Sequence, residues 1–168
     1  GGAGFIGKHL CMHLCNNKNN YVICLDNLFS GQIENIIQLK SNCNFEFVRQ
    51  DVCTPINLKI DEIYHLACPA SPVYYQKQPV ETIKTNVIGS LNVLELAYKN
   101  NAKVLLSSTS EVYGDPLQNP QDEKYWGNVN PVGIRSCYDE GKRCAETLFM
   151  DFHKQYNLKI KIARIFNT

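Results

Sequence analysis

"GGAGFIG", residues 1–7, decides how the rest of the chain is read. It fits G-x-x-G-x-x-G with Gly1, Gly4 and Gly7. Glycine is required where a chain turns tightly, where backbone must approach a pyrophosphate, and where a helix packs closely on a strand. The segment opens a helical stretch from Phe5 to about Asn16, and a helix N-terminus offers unpaired N–H groups and positive dipole to phosphates. The acid Asp26 follows 19 residues after Gly7, at the end of the next strand, where a ribose-binding carboxylate belongs. Together these predict a dinucleotide site, with a plain glycine turn and a solvated Asp26 as the bland alternative. A carboxylate there bonds a ribose hydroxyl and repels a 2′-phosphate, which favours NAD over NADP.

Outward from this turn the segments alternate. Strands are expected at 20–27, 45–52, 62–68, 103–109 and 159–167. Helices are expected at 30–40, 80–100 and 137–157, and a loop rich in Pro, Gly and Asn runs to about residue 135. Such alternation implies parallel β-α-β units with right-handed crossovers. The expected class is α/β, a Rossmann-type doubly wound parallel sheet, with residues 1–168 as one NAD-binding domain. The fingerprint should follow a strand, and none stands before Gly1. The sequence therefore reads as a fragment, lacking its first strand and a C-terminal substrate domain, and poorly soluble or molten when expressed alone. Helices 80–100 and 137–157 carry more apolar residues than one covered face needs, which predicts a homodimer through them.

Composition excludes several classes. The 168 residues are 44% hydrophobic and 20% charged, with net charge +1. No Lys/Arg cluster offers a nucleic-acid footprint, and no apolar run has the length of a membrane span. Eight cysteines occur without a C-x-x-C pair, mostly in apolar runs, and are expected to be reduced thiols. "HLCMHLC" places His9, Cys11, His13 and Cys15 close in sequence, but one helix cannot converge all four on a metal, so no metal site is expected. The expected compartment is cytoplasmic, and the family resemblance that the later motifs carry adds the Golgi lumen as the alternative if a membrane anchor precedes this segment.

"SCYDEGKRCAET", residues 136–147, puts Tyr138 four residues before Lys142, so both leave one helix face. Ser136 is expected as N-cap, with Asp139 closing a capping box. A nearby cation favours phenolate and lowers the tyrosine pKa, making the pair a tunable proton acceptor. "SSTSEVYGD", residues 107–115, ends a strand, and ligands of parallel sheets sit at that end. Thr109, Ser110 and Glu111 are thus expected on the rim that carries Tyr138. Glu111 stands out, because dehydrogenation alone needs no carboxylate; the plain reading is an acid bonded to backbone.

These residues together resemble the extended short-chain dehydrogenase/reductase family, and within it the UDP-glucuronate decarboxylases. "HLACPASPV", "TSEVYGDP", "YWGNVNPVGIRSCYDEGKR" and "ARIFNT" carry the resemblance, which covers nearly the whole chain. Ser110 before Glu111 argues against the 4,6-dehydratases, which usually carry Asp there, and 4-epimerases lack the acidic pair. The resemblance implies oxidation of a UDP-sugar at C4 by NAD, loss of CO2 from the 4-keto acid, reprotonation at C5 and return of the hydride. It implies Tyr138, Lys142, Thr109, Ser110 and Glu111 as catalytic residues. It puts the Gly1–Gly7 segment, with Phe5 and Ile6, and Asp26, Asn27, Asp51, Val52, Leu66, Ala67 and Thr85 against the cofactor. Pro69, Ala70, Ser71, Tyr75 and Asn167 fall on the substrate side, and a further substrate arginine is expected beyond the last residue. A different nucleotide-sugar enzyme and a non-catalytic NAD-binding module remain as alternatives.

Overall fold

The computed structural model describes residues 1–167. Helix α1 (Phe5–Cys15) leads into strand β1 (Val22–Asp26), in which Val22, Cys24 and Asp26 alternate inward. Strand β2 (Phe45–Arg49) pairs parallel with β1, Val22 opposite Phe45 and Asp26 opposite Arg49. Strand β3 (Glu62–His65), strand β4 (Lys103–Thr109) and strand β5 (Ile160–Ile165) form a second parallel sheet with β4 in the middle. Parallel strands need crossovers, and in the second sheet helices supply them. These are α2 (Pro72–Tyr75), α3 (Pro79–Lys84), α4 (Ser90–Asn100) and α5 (Ser136–Tyr156).

Two cores follow from this. Leu94 and Ala97 of α4 and Ala145 and Phe149 of α5 close over Val104 and Leu106 of β4. Cys11 and Cys15 of α1 pack with Cys24, Ile36 and Phe45 around the first sheet. The thiols therefore act as small core residues, while His9 and His13 lie on the exposed side of α1, so the four residues do not converge. All eight cysteines are free.

The parallel strands do not form one continuous sheet. No ladder joins β1 to β3; their facing edges line a cleft of about 590 Å³ that also touches Gly2, Cys11 and Ile63. Two helical expectations need correction. Residues 30–40 are not an α-helix but two 3-10 turns, Ile33–Asn35 and Ile37–Ser41, broken at Ile36 (φ −121°, ψ 0°) so that Ile36 and Leu39 both reach the core. The helix expected over 80–100 is interrupted by a π-helical turn at Thr85–Gly89. The side chains of Thr82, Thr85 and Asn86 each donate to the carbonyl four residues back (Gln78, Glu81 and Thr82), a bonding pattern that bends helices. Both long helices end on asparagine in the left-handed region, Asn101 (φ 52°) and Asn157 (φ 54°), the usual stop when glycine is absent.

Candidate active site

The glycine-rich turn sits between the ends of β1 and β3. A Cβ on Gly1 would lie 2.5 Å from the Leu66 carbonyl carbon, and one on Gly7 would lie 2.4 Å from the Gly1 oxygen. Both glycines are therefore fixed by backbone packing. Gly4 is different: a Cβ there would meet its nearest atom, the Gly1 oxygen, at 3.4 Å, an ordinary van der Waals contact, so packing does not require glycine. Gly4 is the extended N-cap of α1, and no side chain caps that helix end. Asp26 holds the turn in place. Its Oδ2 accepts from the Ala3 N–H (3.0 Å) and its Oδ1 from the Leu28 N–H (2.8 Å).

Asp26, Gly1 and Gly4 line a pocket of about 270 Å³ at the carboxyl ends of the strands. The same pocket takes in Asn27, Asp51, Val52, Leu66, Ala67, Pro69 and Thr85. The Asn27 amide donates to Asp51 Oδ2 (2.9 Å), and the Cys53 N–H donates to Asp51 Oδ1 (2.8 Å). Burial works against the Asp51 carboxylate, but these hydrogen bonds outweigh it and hold its pKa below the ordinary value. Three expected residues lie elsewhere. Phe5 is 70% exposed and meets His9 edge-on, Ile6 is also exposed, and Gly7 lines the inter-sheet cleft instead. The Gly1–Gly7 turn thus contributes through its first half, and its third glycine serves packing. Ala70 is exposed and Ser71 half-buried, where the chain enters α2. Asn167, past the end of β5, is exposed.

Tyr138 is buried and stacks on Tyr75, with centroids 4.9 Å apart and planes at 7°. Lys142 is buried as well; its Nζ donates to the Ser107 carbonyl (2.8 Å) and lies 6.0 Å from the Tyr138 ring centre. The expectation that Lys142 lowers the tyrosine pKa is corrected here. Burial, then the neighbouring Cys68 thiol, pushes Tyr138 up to about 12, and it is the Thr109 hydroxyl that pulls the other way. The ammonium is directed at Ser107 and is itself disfavoured by burial, which lowers the Lys142 pKa. The phenol as held is a proton donor, and whatever makes it a base must act against its burial.

Thr109 Oγ1 accepts from the Glu111 N–H (3.2 Å), fixing the 3-10 turn Ser110–Tyr113 that carries Ser110 and Glu111. Glu111 forms an ion pair with Arg135, so the plain expectation of an acid bonded to backbone is not what is found. Ser136 is not the N-cap of α5. Arg135 holds that position, its carbonyl accepting from the Tyr138 and Asp139 N–H groups, while the Ser136 hydroxyl donates to the Gly133 carbonyl (2.6 Å). Asp139 closes no capping box; burial raises its pKa to about 6 against the pull of Arg135. Two residues escaped the sequence reading. Cys68, read as a core thiol, lines the pocket and lies near enough to Tyr138 and Lys142 to act on both electrostatically. Arg135 was visible only as one cation in the block before Tyr138, and its pairing with Glu111 needs the tertiary fold.

Comparison with known proteins gives a consistent picture. UDP-glucuronic acid decarboxylase 5 of Arabidopsis thaliana is 60% identical over all of this chain, which covers 49% of that protein. UDP-glucuronic acid decarboxylase 1 of Xenopus tropicalis is 50% identical over the same residues, covering 40% of it. This chain thus spans half or less of the length of these curated relatives. Among solved structures, a UDP-glucuronic acid 4-epimerase from Bacillus cereus in complex with NAD superposes with TM-score 0.82 at 28% identity, over 98% of this chain and 54% of that one. The family model described as GDP-mannose 4,6 dehydratase matches residues 1–168. The chain therefore belongs, over its whole length, to this family of the extended short-chain dehydrogenases/reductases.

Proposed function

We propose that the protein decarboxylates UDP-glucuronate to UDP-xylose with NAD as a resident cofactor. The observation that carries this reading is the 60% identity, over every residue of this chain, to proteins named as UDP-glucuronic acid decarboxylases. The pocket fits NAD. Gly4 lets backbone approach a pyrophosphate, since its Cα face is not packed against the fold, and the buried Asp26 carboxylate keeps acceptor capacity for a ribose hydroxyl. Asn27, Asp51, Val52, Leu66, Ala67 and Thr85 would border the rest of it. When bound, NAD would supply the hydride acceptor for oxidation at C4 and, once reduced, the donor for its return to the same carbon.

The chain's own residues handle the protons. Tyr138 takes the proton of the C4 hydroxyl, with Thr109 and Ser110 orienting that hydroxyl, and Lys142 keeps donors beyond its bond to Ser107. The C4 ketone turns the C5 carboxylate into a β-keto acid; the C5–C6 bond breaks, CO2 leaves, and its electron pair forms an enolate. A second proton, drawn from solvent, is added at C5, and Tyr138 then returns its own proton to the C4 oxygen. Glu111 serves the steps after oxidation, and Pro69, Ala70, Ser71, Tyr75 and Asn167 would lie on the sugar side. Tyr138→Phe should abolish NADH formation with UDP-glucuronate, whereas Glu111→Gln should form NADH in a single turnover and yield little UDP-xylose. Equal loss of the first hydride transfer in both variants overturns the split.

Other parts of the reading rest on separate support. Asp26 favours NAD over NADP; Asp26→Asn, which keeps an acceptor for the Ala3 N–H, should relax that preference. The structural similarity to a 4-epimerase supports a 4-epimerase as the second reading. A homodimer through α3–α4 and α5 is supported by the exposure of Val80, Ile83, Ile88 and Met150 on these helices. No helix among the described residues is long and apolar enough to cross a membrane. The free thiols support a reducing, cytoplasmic setting.

A further inference from the structure

We propose that Arg135 is a positioning residue for Glu111, a single guanidinium divided between the Glu111 carboxylate at the end of β4 and the Asp139 carboxylate in the first turn of α5. The backbone ties Arg135 to Tyr138, because the Arg135 carbonyl accepts the first N–H bonds of the helix that carries the phenol. The Thr109 cap ties Glu111 to β4. The Arg135–Glu111 ion pair is thus a bridge between the two segments that form the rim. The other end of the guanidinium reaches Asp139, with Nε 3.8 Å from Oδ2.

Asp139 makes the sharing unequal. It is buried, and its Oδ1 has no hydrogen-bond partner among the described residues; the buried Tyr75 hydroxyl beside this group is likewise unpartnered. The charged groups facing Asp139 are Arg135 ahead of the helix, Glu111 and Asp115 from the segment after β4, and Glu140 on α5 itself, with the Tyr75 phenol from α2. One cation therefore faces several acids. A protonated Asp139 leaves Arg135 to Glu111, whereas an ionised Asp139 competes for it. Because Tyr75 stacks on Tyr138, this balance is struck one ring away from the proton-transferring phenol. Its effect is where the Glu111 carboxylate stands when the steps after oxidation occur.

The test uses the protein as its gene encodes it, in two arms. The first titrates the Asp139 carboxyl by NMR with 13C-labelled aspartate and needs no turnover. The midpoint should fall in Glu111→Gln, where Arg135 is released to Asp139, and rise in Arg135→Gln; a midpoint unmoved in both overturns the proposal. The second arm rests on the decarboxylase reading and follows a single turnover of UDP-glucuronate. Arg135→Gln should slow UDP-xylose formation by about tenfold to a hundredfold, the scale of a misplaced catalytic group, while C4 oxidation is largely retained. Arg135→Lys should recover part of the loss. Combined with Glu111→Gln, the Arg135→Gln change should add little, since both act through one group. Additive losses, or an equal loss of C4 oxidation, overturn it. If the unsubstituted protein makes no UDP-xylose, the functional reading fails and the first arm alone decides the role of Arg135.

Discussion

Gly4 and Gly7 are one residue type in one motif, yet the structure gives them different work. A Cβ at Gly7 would collide with the Gly1 carbonyl at 2.4 Å, and that backbone cannot yield cheaply. Gly7→Ala should therefore destabilise the protein by about 1–3 kcal/mol, the usual cost of overpacking, read from denaturant unfolding. Gly4→Ala should cost less, about 0.5–1 kcal/mol for a poorer N-cap residue, and weaken NAD binding measured by calorimetry. Equal destabilisation by both would contradict the assignment. Asp139 gives a pH test at the same scale. Its folded pKa of about 6 lies above that of an unfolded aspartate, so the folded state binds more protons between the two values. Its ionisation then costs stability as pH rises towards and through about 6. Asp139→Asn should raise the Tm relative to the unsubstituted protein at pH 8 and lose that advantage at pH 4. Neither the unequal glycines nor the raised carboxyl was legible in the sequence, because both depend on what lies across from them in space.

The elements were more legible than their joints. Strand β4 falls on 103–109 as expected from a run of apolar and β-branched residues, and the other four strands lie within one to three residues of the expected bounds. Periodicity fails where side chains bond their own backbone. Thr82, Thr85 and Asn86 look like ordinary polar positions of one long helix, and their back-bonds accompany the π-turn. The start of α5 fails for a related reason. Ser136 has the chemistry of an N-cap, but the helix begins one residue earlier and its hydroxyl turns back to Gly133. Ser136→Ala should accordingly cost less than the ~1 kcal/mol typical of a lost cap, measured by chemical denaturation. A loss of about 2 kcal/mol would restore the capping role.

At the scale of the molecule, the alternation of strands and helices revealed the α/β class, and the Gly1–Asp26 spacing pointed to the pocket. The catalytic pairing was only half legible. Sequence spacing brought Tyr138 and Lys142 onto one face, but the pKa of the phenol is set by burial and by Cys68, which comes from a distant segment. The Glu111–Arg135 ion pair joins residues 24 apart across two elements, beyond any local pattern. The surplus apolar surface of α3–α4 and α5 predicts a homodimer; sedimentation of the gene-encoded protein at micromolar concentration should give one, and an active monomer would contradict it.

The most direct measurement is product identification with UDP-glucuronate labelled with 13C at C6, the carboxylate carbon. The expected result is UDP-xylose in solution, all label released as CO2, and no net accumulation of NADH, because a hydride removed at C4 would be returned to C4. Recovery of the C4 epimer with its labelled carboxylate intact would contradict it.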